Sequence, residues 1–211
     1  MLVAVLTFSL AAALIVLLPG PDTLVMLRSL VRGGRPRGVA TAFGTLTGLA
    51  IWVTAAALGL SALLKASHVG YDVLRVAGAV YLIWLGVSSL LLRRTRPDPV
   101  PSPESGVATR RAGLLGSGFF AGLLTDLLNP KVGVFFVSFL PGFVPHGASV
   151  GWTTLLFGAV FIAETALYLG LLIVLAGRVT SWMNTPRTRR RLDLATGTVL
   201  IGFGVRLALE P

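Results

Sequence analysis

The sequence predicts an all-α protein that crosses a membrane several times. Hydrophobic residues make up 55% of its 211 residues and charged residues only 12%, which is about half of the roughly 25% that soluble domains carry. A stretch of 27 residues without Asp, Glu, Lys or Arg, Gly38–Leu64, exceeds the roughly 20 apolar residues that span a bilayer as a helix. These observations exclude soluble enzymes, DNA-binding domains and secreted disulfide scaffolds. The chain has no cysteine, so thiol-based metal and catalytic sites are excluded as well.

Six helical spans are expected from the apolar runs. Their ranges are Leu2–Leu30, Gly38–Leu64, Tyr71–Leu92, Ala112–Val144, Gly147–Ala176 and Leu192–Leu209. The sixth is short and carries Arg206 near its end, which leaves open an alternative with five spans. That alternative would move only the C-terminus to the other side of the membrane. The first is expected to be a span rather than a signal peptide, because Met1–Leu27 contains no basic residue to open such a peptide.

The arginines set the expected orientation. Of the 18 Lys and Arg residues, 14 lie near three alternate connections, at residues 28–37, 93–111 and 178–191. Because basic loops stay on the cytoplasmic side, these connections are expected in the cytoplasm and both termini outside. The net charge of +10 is therefore attributed to topology and to contact with anionic lipid headgroups, and no nucleic-acid partner is expected.

A Pro-rich polar segment at 93–111 divides the chain into residues 1–92 and 112–211. Its composition is typical of an extended, solvated linker. Each half contains three predicted spans, and an odd number means that a second half of the same fold must be inverted relative to the first. We therefore predict a polytopic membrane protein built from two inverted three-helix repeats.

Helices one and four are both predicted to be discontinuous. The first contains Pro19-Gly20-Pro21-Asp22-Thr23, and a proline inside a helix costs about 3 kcal/mol. Pro21 suits the first position of a new helix, and an acidic residue is favoured in the turn that follows.

Helix four contains the second predicted break, at Asn129-Pro130, which is a good cap-and-start pair for a new helix. Some 17 residues precede the first break and about 16 precede the second, as an inverted repeat predicts. Interrupted helices at matching positions point to a transporter's binding site. The alternative is a pair of kinks that only improve helix packing.

Four ionisable side chains lie within the predicted spans: Asp22, Asp126, Lys131 and Glu164. Each costs at least about 2.5 kcal/mol at a helix centre, so these groups should face one another or a hydrated cavity. Lys131 is expected in the first turn of a half-helix, the positive end of its dipole, where a cation requires an anion nearby. The candidate anions are the three carboxylates and a substrate carboxylate, and Asp22 is the choice that the symmetry favours.

The two breaks together are interpreted as a binding site for a zwitterion, with an anionic and a cationic group on facing half-helices. The predicted binding residues are Pro19, Gly20, Pro21, Asp22, Thr23, Asn129, Pro130 and Lys131. The alternative is a permanent Asp22–Lys131 salt bridge that locks the halves together. Asp126 and Glu164 are candidates for proton coupling, because burial disfavours an unpaired charged carboxyl; either could instead be a hydrogen-bonded structural carboxyl.

The remaining motifs predict neither a cofactor nor an enzyme. No phosphate loop, metalloprotease helix or nucleophile elbow occurs, so an ion or proton gradient is the expected energy source. His68 and His146 are too few and too far apart to indicate a metal site. The pairs Gly44-x-x-x-Gly48 and Gly118-x-x-x-Gly122 permit close helix contact, which is weak evidence for a homodimer in a chain with 25 glycines.

Four sequence motifs, taken together and in this order, resemble the LysE/RhtB-type amino-acid exporters over nearly the whole chain. They are Pro19–Thr23 followed by the basic loop Arg28–Arg37, Gly78–Gly86, Phe119–Lys131, and Phe135-Phe136 with Leu140-Pro141. The resemblance implies a bacterial inner-membrane protein of about six spans that exports amino acids or related small metabolites, driven by the proton gradient. It gives functional roles to Pro19, Gly20, Pro21, Asp22, Asn129, Pro130 and Lys131. The family usually has asparagine where Asp126 stands, so this extra carboxylate could change coupling or substrate charge.

Two other functions stay open. The cargo could be a cation or another small toxic metabolite, because Asp22, Asp126 and Glu164 offer oxygen ligands for a hard cation. A membrane scaffold or embedded enzyme is the alternative from a different class, but a scaffold does not require two matched breaks.

Overall fold

The computed structural model describes residues 1–66, 68–91, 111–176 and 186–209, and every regular element among them is helical. The elements are α1 (Leu2–Leu17), α2 (Pro21–Ala66), α3 (His68–Leu91), α4 (Arg111–Leu127), α5 (Pro130–Val134), a π-helical turn (Phe135–Phe139), a 3-10 turn (Leu140–Phe143), α6 (Val150–Val174) and α7 (Pro186–Leu209). The predicted all-α class is confirmed. The predicted linker, apart from its last residue, lies outside the described residues, as does most of the connection between the fifth and sixth predicted spans.

Helix α1 shows why the chain belongs in a bilayer. One of its faces packs into the protein through Phe8, Ala12 and Ile15, which are fully buried. The opposite face exposes large apolar side chains, among them Leu10 at 66% exposure and Leu17 at 61%. A helix that is apolar on all sides and still exposes so much apolar surface is typical of a membrane span whose outer face contacts lipid.

Two helices in the described part of the chain are long and apolar enough to cross a membrane, Pro21–Gly59 within α2 and Val150–Val174. A third crossing is formed if Gly116–Leu127 and Pro130–Phe143, which meet at an angle of 48°, count as one bent span. Leu2–Leu17, Val76–Ser88 and Leu194–Leu209 are apolar but shorter. The total of six spans and the inverted repeat therefore stay predictions.

The predicted loop between the first two spans is a tight turn within α2. The backbone is non-helical at Gly34, where φ is 64° and ψ is −165°, a left-handed conformation that glycine adopts without a steric penalty. A Cβ on Gly38 would collide with the side chain of Leu30, whereas eight residues of straight helix would separate the two by about 12 Å. The chain therefore folds back at Gly34, and the segments 21–33 and 35–66 are two helical arms.

The two glycine pairs pack against each other inside this chain. A Cβ on Gly44 would collide with the carbonyl oxygen of Phe119 in α4, and one on Gly122 would collide with the carbonyl oxygen of Thr41 in α2. The absence of side chains therefore lets α2 and α4 approach backbone to backbone. The pairs no longer support a homodimer, because their contact surface is used within one chain.

A cluster of phenylalanines packs α1 against α6 and the π-helical turn. Phe8 stacks on Phe157 with ring centroids 4.5 Å apart and contacts Phe143 edge to face at 5.5 Å. Phe135 and Phe161 extend the cluster at a centroid distance of 4.9 Å. This packing holds α1, whose C-terminal end forms one side of the candidate site.

Candidate functional site

Both predicted helix breaks are present. Helix α1 ends at Leu17 and α2 begins at Pro21; α4 ends at Leu127 and α5 begins at Pro130. Each new helix has proline as its first residue, where the missing N–H donor removes no helical hydrogen bond. The local sequence chemistry therefore predicted the positions of both breaks correctly.

Asn129 joins the two breaks with a single side chain. Its Oδ1 accepts a hydrogen bond from the backbone N–H of Lys131 at 3.1 Å, which caps the start of α5 as predicted. Its Nδ2 donates to Oδ2 of Asp22 at 2.5 Å, across to the first turn of α2. Asn129 is only 2% exposed and Asp22 is half-buried, so the amide and the carboxylate form a part-buried cross-link between the two half-helices.

The Lys131 ammonium lies at the C-terminal end of α1. Its Nζ donates to the carbonyl oxygens of Ile15 and Leu18, each at 3.2 Å. The last carbonyls of a helix have no partner within the helix and form the negative end of its dipole, which favours a cation. Only anionic groups were predicted as partners for Lys131, and main-chain carbonyls take that role here.

Gly20 lies next to the Lys131 ammonium. A Cβ at Gly20 would lie 3.4 Å from Nζ of Lys131, an ordinary van der Waals contact. Lys131 and Asp22 interact electrostatically, but in the described part of the chain no direct bond joins them, because Asp22 is held by Asn129. The predicted alternative of a permanent Asp22–Lys131 salt bridge is therefore absent from this conformation.

Asp126 is a buried carboxylate without a hydrogen-bonding partner. It is 1% exposed, and neither of its oxygens has a hydrogen-bond partner among the described residues. It packs on Gly48 of α2, where a Cβ would lie 2.6 Å from Asp126 Oδ2. Asp126 interacts electrostatically with Asp22 and Lys131, so two carboxylates and one ammonium form a single cluster.

A cavity of about 30 Å³ lies beside this cluster, with room for one or two water molecules. The charged residues at its wall are Asp22, Asp126 and Lys131. Of the other predicted site residues, Gly20 and Thr23 also line it, whereas the three prolines and Asn129 do not. The complete lining is Ile15, Val16, Leu18, Gly20, Asp22, Thr23, Thr45, Leu49, Asp126, Lys131, Val132, Phe161, Thr165, Tyr168 and Leu169.

Glu164 lies apart from the cavity wall. The hydroxyl of Ser9 in α1 donates to Oε1 of Glu164 in α6, which gives this carboxyl a link between helices. Its Oε2 is buried without a partner among the described residues. The two candidates for proton coupling thus occupy different environments, with only Asp126 in contact with the charged cluster.

Three polar residues of the cavity were missed by the sequence analysis. Thr45 comes from α2, and Thr165 and Tyr168 come from α6. The hydroxyls of Tyr168 and Thr23 are 3.2 Å apart and share a hydrogen bond. The available signal was weak, since these residues lie in largely apolar runs and threonine hydroxyls in membrane helices commonly bond to their own backbone.

Metal ligation has little geometric support. In residues 1–66, 68–91, 111–176 and 186–209, no group of three or more His, Cys, Asp or Glu side chains is placed to hold a metal ion. The cluster at the breaks also contains the ammonium of Lys131, which repels a cation.

A sequence profile of the LysE type translocator family matches residues 13–211. The chain belongs to this family. Membership agrees with the apolar helices and confirms the family resemblance and a place among integral membrane transport proteins of bacteria.

Individual relatives cover almost the entire translocator. A leucine efflux protein of Klebsiella pneumoniae is 30% identical over 209 residues, 96% of this chain and 93% of the relative. A leucine efflux protein of an Enterobacter species is 29% identical over 207 residues, with the same coverage. An uncharacterized membrane protein of Pseudomonas aeruginosa is 34% identical over 207 residues, again 96% of this chain and 93% of the relative. No solved structure gives a significant match.

Proposed function

We propose that this translocator exports amino acids or related small zwitterions from the bacterial cytoplasm across the inner membrane, in exchange for protons. The observation that carries the proposal is the cluster at the two helix breaks, where Lys131 faces the cavity together with Asp22 and Asp126. An ammonium and two carboxylates at the wall of one cavity complement the two charges of an amino acid. Neutral or singly charged cargo would leave part of this cluster unmatched.

Lys131 is the proposed partner of the substrate carboxylate. Its present partners are neutral carbonyl oxygens at 3.2 Å, and hydrogen bonds to a charged acceptor are shorter and stronger. A carboxylate that enters the cavity can therefore replace one or both carbonyls. The end of α1 then loses its cationic cap, which couples substrate binding to the position of that helix.

The conformation described here is proposed to be an occluded one. A volume of about 30 Å³ is far below the roughly 300 Å³ of a ligand pocket, so an amino acid enters only when the walls separate. Discontinuous helices at the midplane and alternating movement of two repeats are typical of secondary transporters. Six spans, inverted halves, and termini on the outer side are parts of this proposal.

Leucine is the first cargo to test. Two relatives at 29% and 30% identity are named leucine efflux proteins, and the cavity wall includes apolar residues, among them Leu49, Val132 and Phe161, that can contact an aliphatic side chain. A hard cation has less support as cargo, because Lys131 lies among the carboxylates that would bind it.

Proteoliposomes test the proposal directly. Vesicles that contain the purified protein are loaded with individual amino acids, leucine first, and efflux is followed after a pH gradient is imposed. We expect gradient-dependent efflux of at least one amino acid, and its loss in Lys131→Met and in Asp22→Asn. Elution of each variant as a single folded species in detergent controls for misfolding. If no amino acid moves, or if both variants export it at the wild-type rate, the zwitterion site is wrong.

A further inference from the structure

We propose that Asp126, and not Asp22, is the site at which the coupling proton and the ammonium group of the substrate bind in turn, each excluding the other. This inference rests on the proposed function and specifies its coupling step. Its basis is the contrast between two carboxylates that line the same cavity. One of them accepts a hydrogen bond from the protein, and the other has no hydrogen-bond partner among the described residues.

Asp22 is the compensated carboxylate. It lies in the first turn of α2, where the unpaired N–H groups and the positive end of the helix dipole stabilise an anion. Its Oδ2 also accepts the amide hydrogen bond from Asn129. Only its Oδ1 has no hydrogen-bond partner among the described residues, whereas both oxygens of Asp126 have none.

Asp126 lacks every one of these compensating contacts. It is the penultimate residue of α4, so it lies at the negative end of the helix dipole, where an anion is disfavoured. Both of its oxygens are buried and unbonded among the described residues. A buried charged group without partners is costly, so Asp126 is stable only when it carries a proton or faces a cation.

A single carboxylate can hold only one of the two cations. With Asp22 and Asp126 ionised and Lys131 protonated, the charged groups that line the cavity in the described part of the chain sum to −1. The substrate carboxylate is matched by Lys131, so the substrate ammonium requires the ionised form of Asp126, and a proton bound to Asp126 removes that negative charge. Mutual exclusion at one carboxylate is sufficient to couple export of a cationic group to import of a proton.

The other titratable groups near Asp126 do not supply this function. The cavity beside it is also lined by residues of α1, α2, α5 and α6. Ile15 and Val16 of α1, and Leu18 just after it, carry no titratable group; α2 contributes Asp22, α5 contributes Lys131, and α6 contributes the phenol of Tyr168. That phenol already shares a hydrogen bond with Thr23. Glu164 also lies on α6, but it bonds to Ser9 and lies outside the wall.

Infrared spectroscopy of the purified protein tests where the proton binds without any need for transport. We expect a C=O band of a protonated carboxyl that is lost in Asp126→Asn and that also disappears when the transported amino acid, with L-leucine as the first probe, saturates the protein. Glu164→Gln is the matched control. It neutralises the carboxyl that lies within a predicted span but outside the cavity wall, and it should leave this ligand-sensitive band in place. Survival of the band at saturation, or its loss in Glu164→Gln but not in Asp126→Asn, would overturn the proposal.

Binding measured against pH provides the second test. Competition for one site predicts that the apparent Kd of the amino acid rises about tenfold for each pH unit of acidification while Asp126 is protonated, with release of about one proton per molecule bound. Asp126→Asn should make the Kd independent of pH, and Glu164→Gln should retain the tenfold slope. A pH-independent Kd in the wild type would refute the inference.

The two proposals fail in different ways. If the protein exports an amino acid but its affinity ignores pH, the exporter stands and the role of Asp126 is wrong. If no amino acid is exported, the exporter is wrong. Asp126 is then tested with 3-methylbutylammonium, a probe that has the ammonium group and no carboxylate. Displacement of the protonated-carboxyl band by this probe supports a cation site at Asp126, and failure to displace it refutes the site.

Discussion

Replacing Asn129 separates the two functions of its side chain. Asn129→Asp keeps an oxygen to cap α5 but replaces the Nδ2 donor with a second carboxylate next to Asp22. Asn129→Ala removes both the cap and the donor. The two variants therefore share the loss of the cross-link and differ in the cap and in the added charge.

The magnitudes follow from the observed contacts. Loss of an N-cap costs about 0.5–2 kcal/mol, and loss of a hydrogen bond to a charged acceptor costs about 1.5–3 kcal/mol. Asn129→Ala should therefore destabilise the protein by roughly 2–5 kcal/mol while Asp22 is ionised, and only the part due to the lost hydrogen bond should decrease in acid, because a protonated Asp22 no longer offers a charged acceptor. Asn129→Asp should be destabilised at neutral pH by repulsion between two carboxylates and should recover in acid, because one proton shared between them replaces the lost donor.

The assay is thermal unfolding in detergent, followed by tryptophan fluorescence over a range of pH for the wild type and both variants. We expect the difference in stability between Asn129→Asp and Asn129→Ala to grow in favour of Asn129→Asp as the pH falls. Parallel pH profiles of the two variants, or a wild-type midpoint for Asn129→Ala, would show that the amide does not link Asp22 to the second break.

Three further predictions concern packing and hydrogen bonds. Gly44→Ala places a methyl group against a carbonyl of α4 and should lower the free energy of unfolding by about 1–3 kcal/mol. Gly59→Ala, in the same helix with open space around it, is the control and should not lower it. Equal unfolding midpoints for the two variants would refute the close contact. Tyr168→Phe removes the hydroxyl partner of Thr23 and should cost about 1 kcal/mol, measured in the same unfolding assay. Ser9→Ala removes the donor to the carboxylate of α6 and should leave the pH slope of substrate affinity intact, whereas a flat slope would assign coupling to that carboxylate.

The helix breaks were predictable because their causes are local. A proline that starts a helix and an asparagine that caps it act within three residues of sequence. The membrane class was predictable from composition alone. With only 12% charged residues, the chain has too few polar side chains to cover its apolar helices in water. The turn at Gly34 was predicted as a longer loop, because its polar arginines do not reveal that the flanking residues remain helical.

The partner of Lys131 was not predictable from side-chain patterns. The carbonyls of Ile15 and Leu18 are more than 110 residues away in sequence, and every residue has a carbonyl, so no residue type marks them.

The glycine pairs posed a different problem. Their spacing predicts close helix contact but does not identify the partner helix, which in this structure lies within the same chain.

The contact between α2 and α4 restricts how this protein can move. Where main chain meets main chain at Gly44 and Gly122, there are no flexible side chains to absorb sliding, and even a small relative shift would drive carbonyl oxygens into Cα atoms. These two helices should therefore travel as one rigid body through the transport cycle. A gate that admits cargo is then expected away from this contact, for example where α1 and α6 meet through phenylalanine side chains, which can change rotamer.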